Sequence, residues 1–151
     1  MTPCAPYRLH QSLGYQLSLA ARLQERRLEE GLRRLGLSRI TWCVLLAVGN
    51  EGLRQPSDIA RFVGTDRTAT SRALRQMEAD GLIERSSGTG DRRTTSVCLT
   101  PLGARRLAEG TPLAEENGRV LEGKLAPGEE AELRRLLAKL RAGEDMALKR
   151  L

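Results

Sequence analysis

Hydroxyl and guanidinium side chains recur at helical spacing in the segment GTDRTATSRALRQMEADGLIER, residues 64–85. Thr68, Ser71, Arg72 and Arg75 stand at i, i+3, i+4 and i+7, so they share one face of a helix. Short hydroxyls can meet phosphates or base edges, and arginine can form a bidentate pair with guanine or neutralise a phosphate. The segment therefore holds residue types that can bind duplex nucleic acid.

The opposite face of this helix is mainly apolar, and it consists of Thr70, Ala73, Leu74 and Met77. That spacing predicts the face that seats the helix on a core. Thr65 and Asp66 are both suitable N-cap residues, and Arg67 follows them in the first turn. Because the first N–H groups of a helix have no intrahelical partner, the beginning of this helix offers further donors for a phosphate.

A solvated surface helix is the alternative interpretation of the same two stripes. A solvated face normally mixes glutamate with lysine, whereas the acidic residues within this helix, Glu78 and Asp80, stand only at its end. A capped helix precedes the segment and a basic hairpin follows it, and this context favours a recognition helix.

The basic hairpin is predicted by two short β-rich runs, LIERSS and TTSVCLT, separated by GTGDRR. Arg92 and Arg93 at its tip could enter a narrow minor groove, whose negative potential attracts arginine. Asp91 could orient one of these guanidinium groups or cap the turn. Solvated loop charges are the alternative explanation of the tip.

The elements that must position these residues are helices. Helical spacing of leucine and alanine predicts a long helix over residues 7–35 that ends at Gly36. A buried helix follows between Ser38, its N-cap, and Gly49. The short run QPSDIARFVG predicts a third helix, which meets the recognition segment across a tight glycine-containing turn. This arrangement is a helix-turn-helix, and the hairpin after it is a wing.

Helical patterns return after residue 100. Pro112 predicts a kink in the first of these helices. A later helix carries an apolar stripe, Leu133, Leu136, Leu137 and Leu140. The N- and C-terminal helices hold more leucine than one small lobe can cover, so we expect them to pack together and against a second subunit. A purely intramolecular bundle is the alternative.

Composition narrows the class of partner. The 151-residue chain carries a formal charge of +6, which favours polyanions, and its 40% hydrophobic content is sufficient for a packed core. Only 3% of the residues are aromatic, which argues against stacking on unpaired bases and favours duplex. The sequence contains no apolar run of membrane-spanning length and no secretory signal, so we expect a cytoplasmic protein without a membrane partner.

Enzyme chemistry is not expected. The sequence has no phosphate-binding loop, no dinucleotide fingerprint and only one histidine, His10. Its three cysteines are far apart and form neither a disulfide framework nor a zinc site, which fits a reducing compartment. We therefore expect no catalytic residue, no metal and no cofactor.

Residues 37–107 resemble the multiple-antibiotic-resistance regulator (MarR) family of winged-helix transcription factors. LSRITWCVLLAV is similar to the second helix of the family, and PSDIARFVGTDRTATSRALRQMEADGLIER to its helix-turn-helix. GDRRTTSVCLTPLGARRL is similar to its wing, an Asp-Arg-Arg followed by a strand and a helix that opens Pro-x-Gly.

The resemblance implies an obligate dimer formed by the first helix and the last two helices. It also implies that the dimer binds a pseudo-palindromic duplex, with recognition helices in the major groove and wings in flanking minor grooves. On this resemblance the recognition helix contributes Thr68, Thr70, Ser71, Arg72 and Arg75. Arg93 matches the minor-groove arginine of the family, with Asp91 as its positioning partner.

Family members commonly respond to a small aromatic or carboxylate ligand, or to cysteine oxidation. Candidate ligand contacts are His10, Tyr15 and Trp42, although a surface histidine and a core tryptophan are the alternatives. Cys4 lies near the position of the reactive cysteine in the family's peroxide sensors. Cys43 stands in the most apolar helix and Cys98 on a wing strand.

The sequence thus predicts one MarR-like domain, mainly α with a small β-hairpin wing. Residues 37–101 form the winged helix-turn-helix lobe, and residues 1–36 and 102–151 form a helical dimerisation lobe. The predicted function is a homodimeric, sequence-specific regulator of transcription, a repressor released by a small-molecule effector. A redox-sensing regulator and a winged-helix protein-interaction module are the alternatives. Its predicted DNA-binding residues are Thr65, Asp66, Arg67, Thr68, Thr70, Ser71, Arg72, Arg75, Asp91, Arg92 and Arg93.

Overall fold

The computed structural model describes residues 5–87, 94–149 and 151. A short 3-10 helix, Leu9–Gln11, comes first. The elements that follow are α1 (Leu13–Arg33), α2 (Arg39–Gly49), α3 (Pro56–Val63), α4 (Arg67–Ala79), β1 (Ile83–Ser87), β2 (Thr95–Leu99), α5 (Pro101–Glu122) and α6 (Glu129–Arg141).

The two strands form an antiparallel hairpin directly after α4. Ile83 pairs with Leu99 at its base and Ser87 pairs with Thr95 at the far end. The backbone N–H of Val97 donates to the carbonyl of Arg54 at 2.9 Å, which ties β2 to the loop between α2 and α3. The predicted fold class, mainly α with a small β-hairpin wing, is confirmed.

The core is built around α2, as its nearly uniform apolar sequence predicts. Five residues of this helix are buried, namely Trp42, Val44, Leu45, Ala47 and Val48. Ile59 of α3, Leu74 and Met77 of α4, and Ile83 and Val97 of the hairpin close the same cluster. Ser38 begins the helix with a capping box, in which its hydroxyl accepts from the N–H of Thr41.

Helix α5 approaches α2 at a glycine. A Cβ added at Gly110 would lie 2.4 Å from Cζ3 of Trp42, so only glycine allows the indole to lie against the α5 backbone. The helix continues without interruption through Pro112. Trp42 therefore joins the core of α2 to the helix that leads away from the hairpin.

The remaining helices differ strongly in burial. Helix α1 packs along α5, and Asn117 of α5 lies between them, where it donates to Gln24 at 3.2 Å and accepts from Arg27 at 3.4 Å. Every residue of α6 except Glu130 is exposed, including its four stripe leucines. The apolar stripe of α6 is therefore uncovered in the single chain.

Two features differ from the prediction. The first helix does not run unbroken from residue 7 to 35, because Ser12 is extended and caps α1 by accepting from the N–H of Tyr15. The segment after α6 does not continue as a helix. It turns at Gly143 and returns to the α3–α4 turn, where Leu148 forms a parallel bridge with Thr65. No described helix is sufficiently long and apolar to cross a membrane.

Candidate nucleic-acid interface

The turn between α3 and α4 is fixed by backbone geometry and a side-chain cap. Gly64 ends α3 in the left-handed region, with φ of 80°, a conformation that costs glycine little. Asp66 then caps α4, and its carboxylate accepts from the N–H of Ala69 at 2.7 Å. Since this carboxylate occupies the beginning of α4, it also competes with a phosphate for the free N–H groups there.

Thr65 and Thr70 hold the turn against the first helical turn of α4. Their hydroxyl oxygens lie 2.8 Å apart, and the Thr70 hydroxyl also donates to the carbonyl of Asp66 at 2.9 Å. Both residues are buried, with 3% and 2% of their surface exposed. This corrects the expectation that their side chains face DNA, because their hydroxyls are used inside the turn.

The periodicity of α4 is confirmed on its buried side, where Thr70, Ala73, Leu74 and Met77 face the core. On the other side, Arg67, Thr68, Arg72 and Arg75 are exposed, and Ser71 is half-buried. We call these five residues the recognition face. None of its three guanidinium groups forms an ion pair with another residue that the structure describes. Their charge is therefore free for a polyanion.

The acidic end of α4 is turned toward the hairpin. Glu78 accepts two hydrogen bonds from Arg85 of β1, through Nε at 2.9 Å and through Nη2 at 2.5 Å. The hydrogen bonds from Arg85 lower the pKa of the Glu78 carboxyl below its ordinary value. Arg85 was absent from the predicted site. A sequence signal could have identified it, because a basic residue in the predicted strand follows the acidic residues at the end of the recognition helix.

Ser71 and Arg85 also line a cleft between α4 and the hairpin. Its volume is about 420 Å³, and its other walls include Gln55, Ser57, Arg67 and Thr95. The hairpin strands stand beside the recognition face, as a wing requires. Asp91, Arg92 and Arg93, the predicted minor-groove residues, lie outside the described residues.

The family model described as the MarR family matches residues 35–94, the segment that holds α2, the helix-turn-helix and β1. The chain is 28% identical to a probable transcriptional regulator from Pseudomonas aeruginosa, with a TM-score of 0.79 over 88% of this chain and 99% of that one. It is 26% identical to a mutant of MarR from E. coli in complex with operator DNA, with a TM-score of 0.78 over 85% and 92%.

Residues 35–94 thus resemble the MarR family, and the overall fold of the chain is similar to that of MarR structures. Its fold is also similar to BpsR from Bordetella bronchiseptica, at 24% identity and a TM-score of 0.83 over 93% of this chain and 100% of that one. That structure concerns the regulation of BpsR's DNA binding by 6-hydroxynicotinic acid. Wild-type MarR from E. coli in its apo form gives a lower TM-score, 0.68, over 85% and 96%. No match is found among curated proteins.

The candidate effector contacts of this chain do not form one site. His10 and Tyr15 meet edge to face with ring centroids 5.2 Å apart, and the guanidinium of Arg22 lies 6.0 Å from the Tyr15 ring centre. Trp42 is 4% exposed and belongs to the core instead. This corrects the grouping of Trp42 with the other two.

The two cysteines that the structure describes, Cys43 and Cys98, occupy different environments. Burial raises the pKa of the Cys43 thiol, and nearby Arg39 lowers it by a smaller amount. A raised pKa leaves little of the reactive thiolate at neutral pH. Cys98 is exposed on β2, and Cys4 lies outside the described residues. Within residues 5–87, 94–149 and 151, no cluster of three potential ligands could hold a metal ion.

Proposed function

We propose that this chain is a homodimeric transcriptional regulator of the MarR family that binds a pseudo-palindromic duplex and represses transcription until a small molecule releases it. The observation that carries the proposal is the recognition face. It presents an exposed hydroxyl and three guanidinium groups that have no ion-pair partner among the described residues, on a helix whose opposite side is buried. That pattern suits a helix lying in a major groove.

The chemistry of the recognition face favours DNA over a protein partner. A face that binds protein usually offers large apolar or aromatic residues, and this one offers none. Arg72 and Arg75 are long enough to reach base edges, whereas Arg67 and Thr68 lie at the first turn, close to where a phosphate would pass. The similar structures are those of transcriptional regulators, which supports a non-enzymatic function.

The arrangement of the helices supports a binding-competent form. The similarity to E. coli MarR is greater for the operator complex, with a TM-score of 0.78, than for the apo form, with 0.68. As a whole, the present chain is therefore more similar to the operator-bound relative than to the apo form of E. coli MarR.

The uncovered leucines of α6 support a dimer. Leu133, Leu136, Leu137 and Leu140 are between 37% and 51% exposed in the single chain. Burying a leucine side chain fully stabilises by about 1.5–3 kcal/mol, so a surface of four provides a strong drive for association. A two-fold dimer would present two recognition helices to successive major grooves, about 34 Å apart.

An aromatic effector is supported by two observations. His10, Tyr15 and Arg22 place an imidazole, a phenol ring and a guanidinium group together on the exposed side of the N-terminal helices. BpsR and the structurally similar RdhR are described with aromatic ligands, 6-hydroxynicotinic acid and 2,4-dichlorophenol. A ring with a carboxylate would suit stacking on Tyr15 and pairing with Arg22.

The test of DNA recognition is selection of genomic fragments with the purified chain, followed by fluorescence anisotropy on the selected duplex. We expect a two-fold symmetric site whose log affinity falls steeply with log salt. Arg72→Ala should weaken binding to the selected site by about tenfold or more and relax preference at one base position. Arg119→Ala on α5, which already pairs with Glu116, is the matched control. Equal affinity for selected and random duplex would refute the proposal.

The effector is tested on the same complex with benzoate, salicylate and 6-hydroxynicotinate as probes. Release of the duplex by one of them should be lost when Arg22 and Tyr15 are both replaced by alanine. If the probe still releases the duplex from the double variant, the effector binds at a different site.

A further inference from the structure

The segment after α6 lies on the helix-turn-helix rather than on the helical lobe. The N–H of Leu148 donates to the carbonyl of Gly64 at 3.1 Å, and the N–H of Asp66 donates to the carbonyl of Leu148 at 2.9 Å. These two bonds flank Thr65 and form a parallel bridge. We call residues 144–151 the tail. The bridge ties the tail to the turn that caps the recognition helix.

The attachment is made by backbone rather than by apolar side chains. Met146 and Leu148 keep 43% and 51% of their surface exposed, so their burial contributes little. Further along, a guanidinium N–H of Arg39 donates to the carbonyl oxygen of Leu151. Arg39 is itself held by Glu25 and Glu29 of α1. Leu148 is therefore attached to the α3–α4 turn, and Leu151 to the beginning of α2.

This path places one cation beside the recognition face. Lys149 shares a shallow depression with Asp66, Thr68, Ala69 and Arg72, and a second one with residues that include Ser38 and Thr41 at the start of α2. Lys149, Thr68 and Arg72 are all exposed, so the tail adds a charge without covering the residues next to it.

The charges around Lys149 favour an anion. Of the charged side chains in the depression, Arg72 and Lys149 are basic and only Asp66 is acidic, and the Asp66 carboxylate accepts from the N–H of Ala69. Asp145 of the same tail lies in a different depression, with Arg67. Two neighbouring cations repel each other, and a phosphate placed between them removes that repulsion. Because a lysine ammonium is a compact charge with rotatable donors, it binds a phosphate without reading a base.

We propose that the tail is a second DNA-binding element, in which Leu148 positions the turn before the recognition helix and Lys149 binds a backbone phosphate next to it. This inference rests on the proposed function, because it requires a duplex on the recognition face. It differs from that function in its residues, none of which belongs to the helix-turn-helix or the wing.

The phosphate contact is tested by anisotropy between about 50 and 200 mM salt, with the duplex selected by the wild-type chain and a random duplex of equal length. Lys149→Ala should reduce the slope of log affinity against log salt by about one, so that the affinity loss over this range is about fourfold smaller. It should weaken both duplexes by the same factor. Lys124→Ala, an exposed lysine at the end of α5, is the matched control.

If the wild-type affinity falls steeply with salt and Lys149→Ala has the same slope, the phosphate contact of the tail is refuted. The proposed function would then remain intact. Tighter binding after deletion of residues 144–151 would also overturn the phosphate contact, since the tail would then shield the face. If the wild-type chain binds no duplex, the proposed function and the phosphate contact both fail.

The positioning role is tested without DNA, by hydrogen exchange at the Asp66 amide. Leu148→Pro removes the N–H that reaches Gly64, whereas Leu148→Ala keeps the backbone bonds and serves as the control. We expect faster exchange at Asp66 in Leu148→Pro and in the deletion, and wild-type exchange in Leu148→Ala. Full protection of Asp66 in the deletion would refute the positioning role.

Discussion

At the scale of single residues, two nearby positions on α4 have different roles, one on the exposed face and one in the core. Thr68 is exposed and Thr70 is buried, although both are threonines two positions apart. The difference follows from helix periodicity, which turns a side chain by about 200° over two residues. A position shared with the family's recognition helix is therefore insufficient to assign a DNA contact, and the hydrogen bonds of each hydroxyl decide its role.

Thr70→Val tests this division. The substitution keeps the shape but removes the hydroxyl that bonds Thr65 and the Asp66 carbonyl, so unfolding free energy should fall by about 1–2 kcal/mol. Thr68→Val is the matched control, and we expect near wild-type stability with weaker DNA binding. Urea unfolding and anisotropy measure the two effects. Equal stability of both variants would contradict the buried role of Thr70.

At the scale of elements, α4 and the hairpin are held together by a polar link as well as by the core. Arg85 of β1 pairs with Glu78 near the end of α4, which restrains the angle of the wing to the recognition helix. Because hydrogen bonding lowers the pKa of Glu78, the pair stabilises the fold above the ordinary carboxyl pKa. That contribution disappears as the pH falls through the lowered pKa.

Glu78→Gln should therefore lower the urea midpoint slightly at neutral pH, and the difference from wild type should shrink as the pH is lowered from about 6 to about 3. Glu84→Gln, on the same hairpin but opposite Cys98, is the control. A Glu78→Gln difference that is constant across this range would show that the ion pair does not contribute.

Helix α6 is the element whose surface most requires a partner. Leu136→Glu combined with Leu140→Glu places two charges in its apolar stripe, and we expect the chain to become monomeric. Ala138→Glu, on the opposite side of the same helix by its spacing, should leave the dimer intact. Sedimentation velocity measures the difference. A dimer that survives the double substitution would move the interface away from the stripe of α6.

At the scale of the whole molecule, the indole of Trp42 is one of the contacts between the α2 core and the long α5. Trp42 is buried against Gly110, and it also belongs to the core cluster that contains residues of α3 and α4. This contact gives a physical route by which an event among the N- and C-terminal helices could reach the recognition face.

Gly110→Ala tests the contact. The new methyl group would clash with the ring of Trp42, and overpacking of this kind should cost about 1–3 kcal/mol of unfolding free energy. Gly118→Ala, in the same helix with no atom closer than 3.9 Å to the added Cβ, should be neutral or stabilising by up to about 1 kcal/mol. Thermal unfolding would distinguish them, and equal melting temperatures would show that the indole can move aside.

Local patterns of the sequence determined the helices, the hairpin and the buried side of α4. Ser38, Asp66 and Gly64 act within a few residues of themselves, so their caps and turns can be read from order and spacing alone. The opposing faces of α4 follow from the same short-range periodicity. These features required no knowledge of distant contacts.

Only the tertiary structure decided the long-range partners. It separates Trp42 from His10 and Tyr15, joins Thr65 to Thr70, and brings Leu148 and Lys149 to a turn more than eighty residues earlier in the chain. The tail lacks a periodic pattern, and its attachment uses backbone groups that every residue type carries. The sequence therefore contains no local signal for its destination, which only the packing of the whole chain provides.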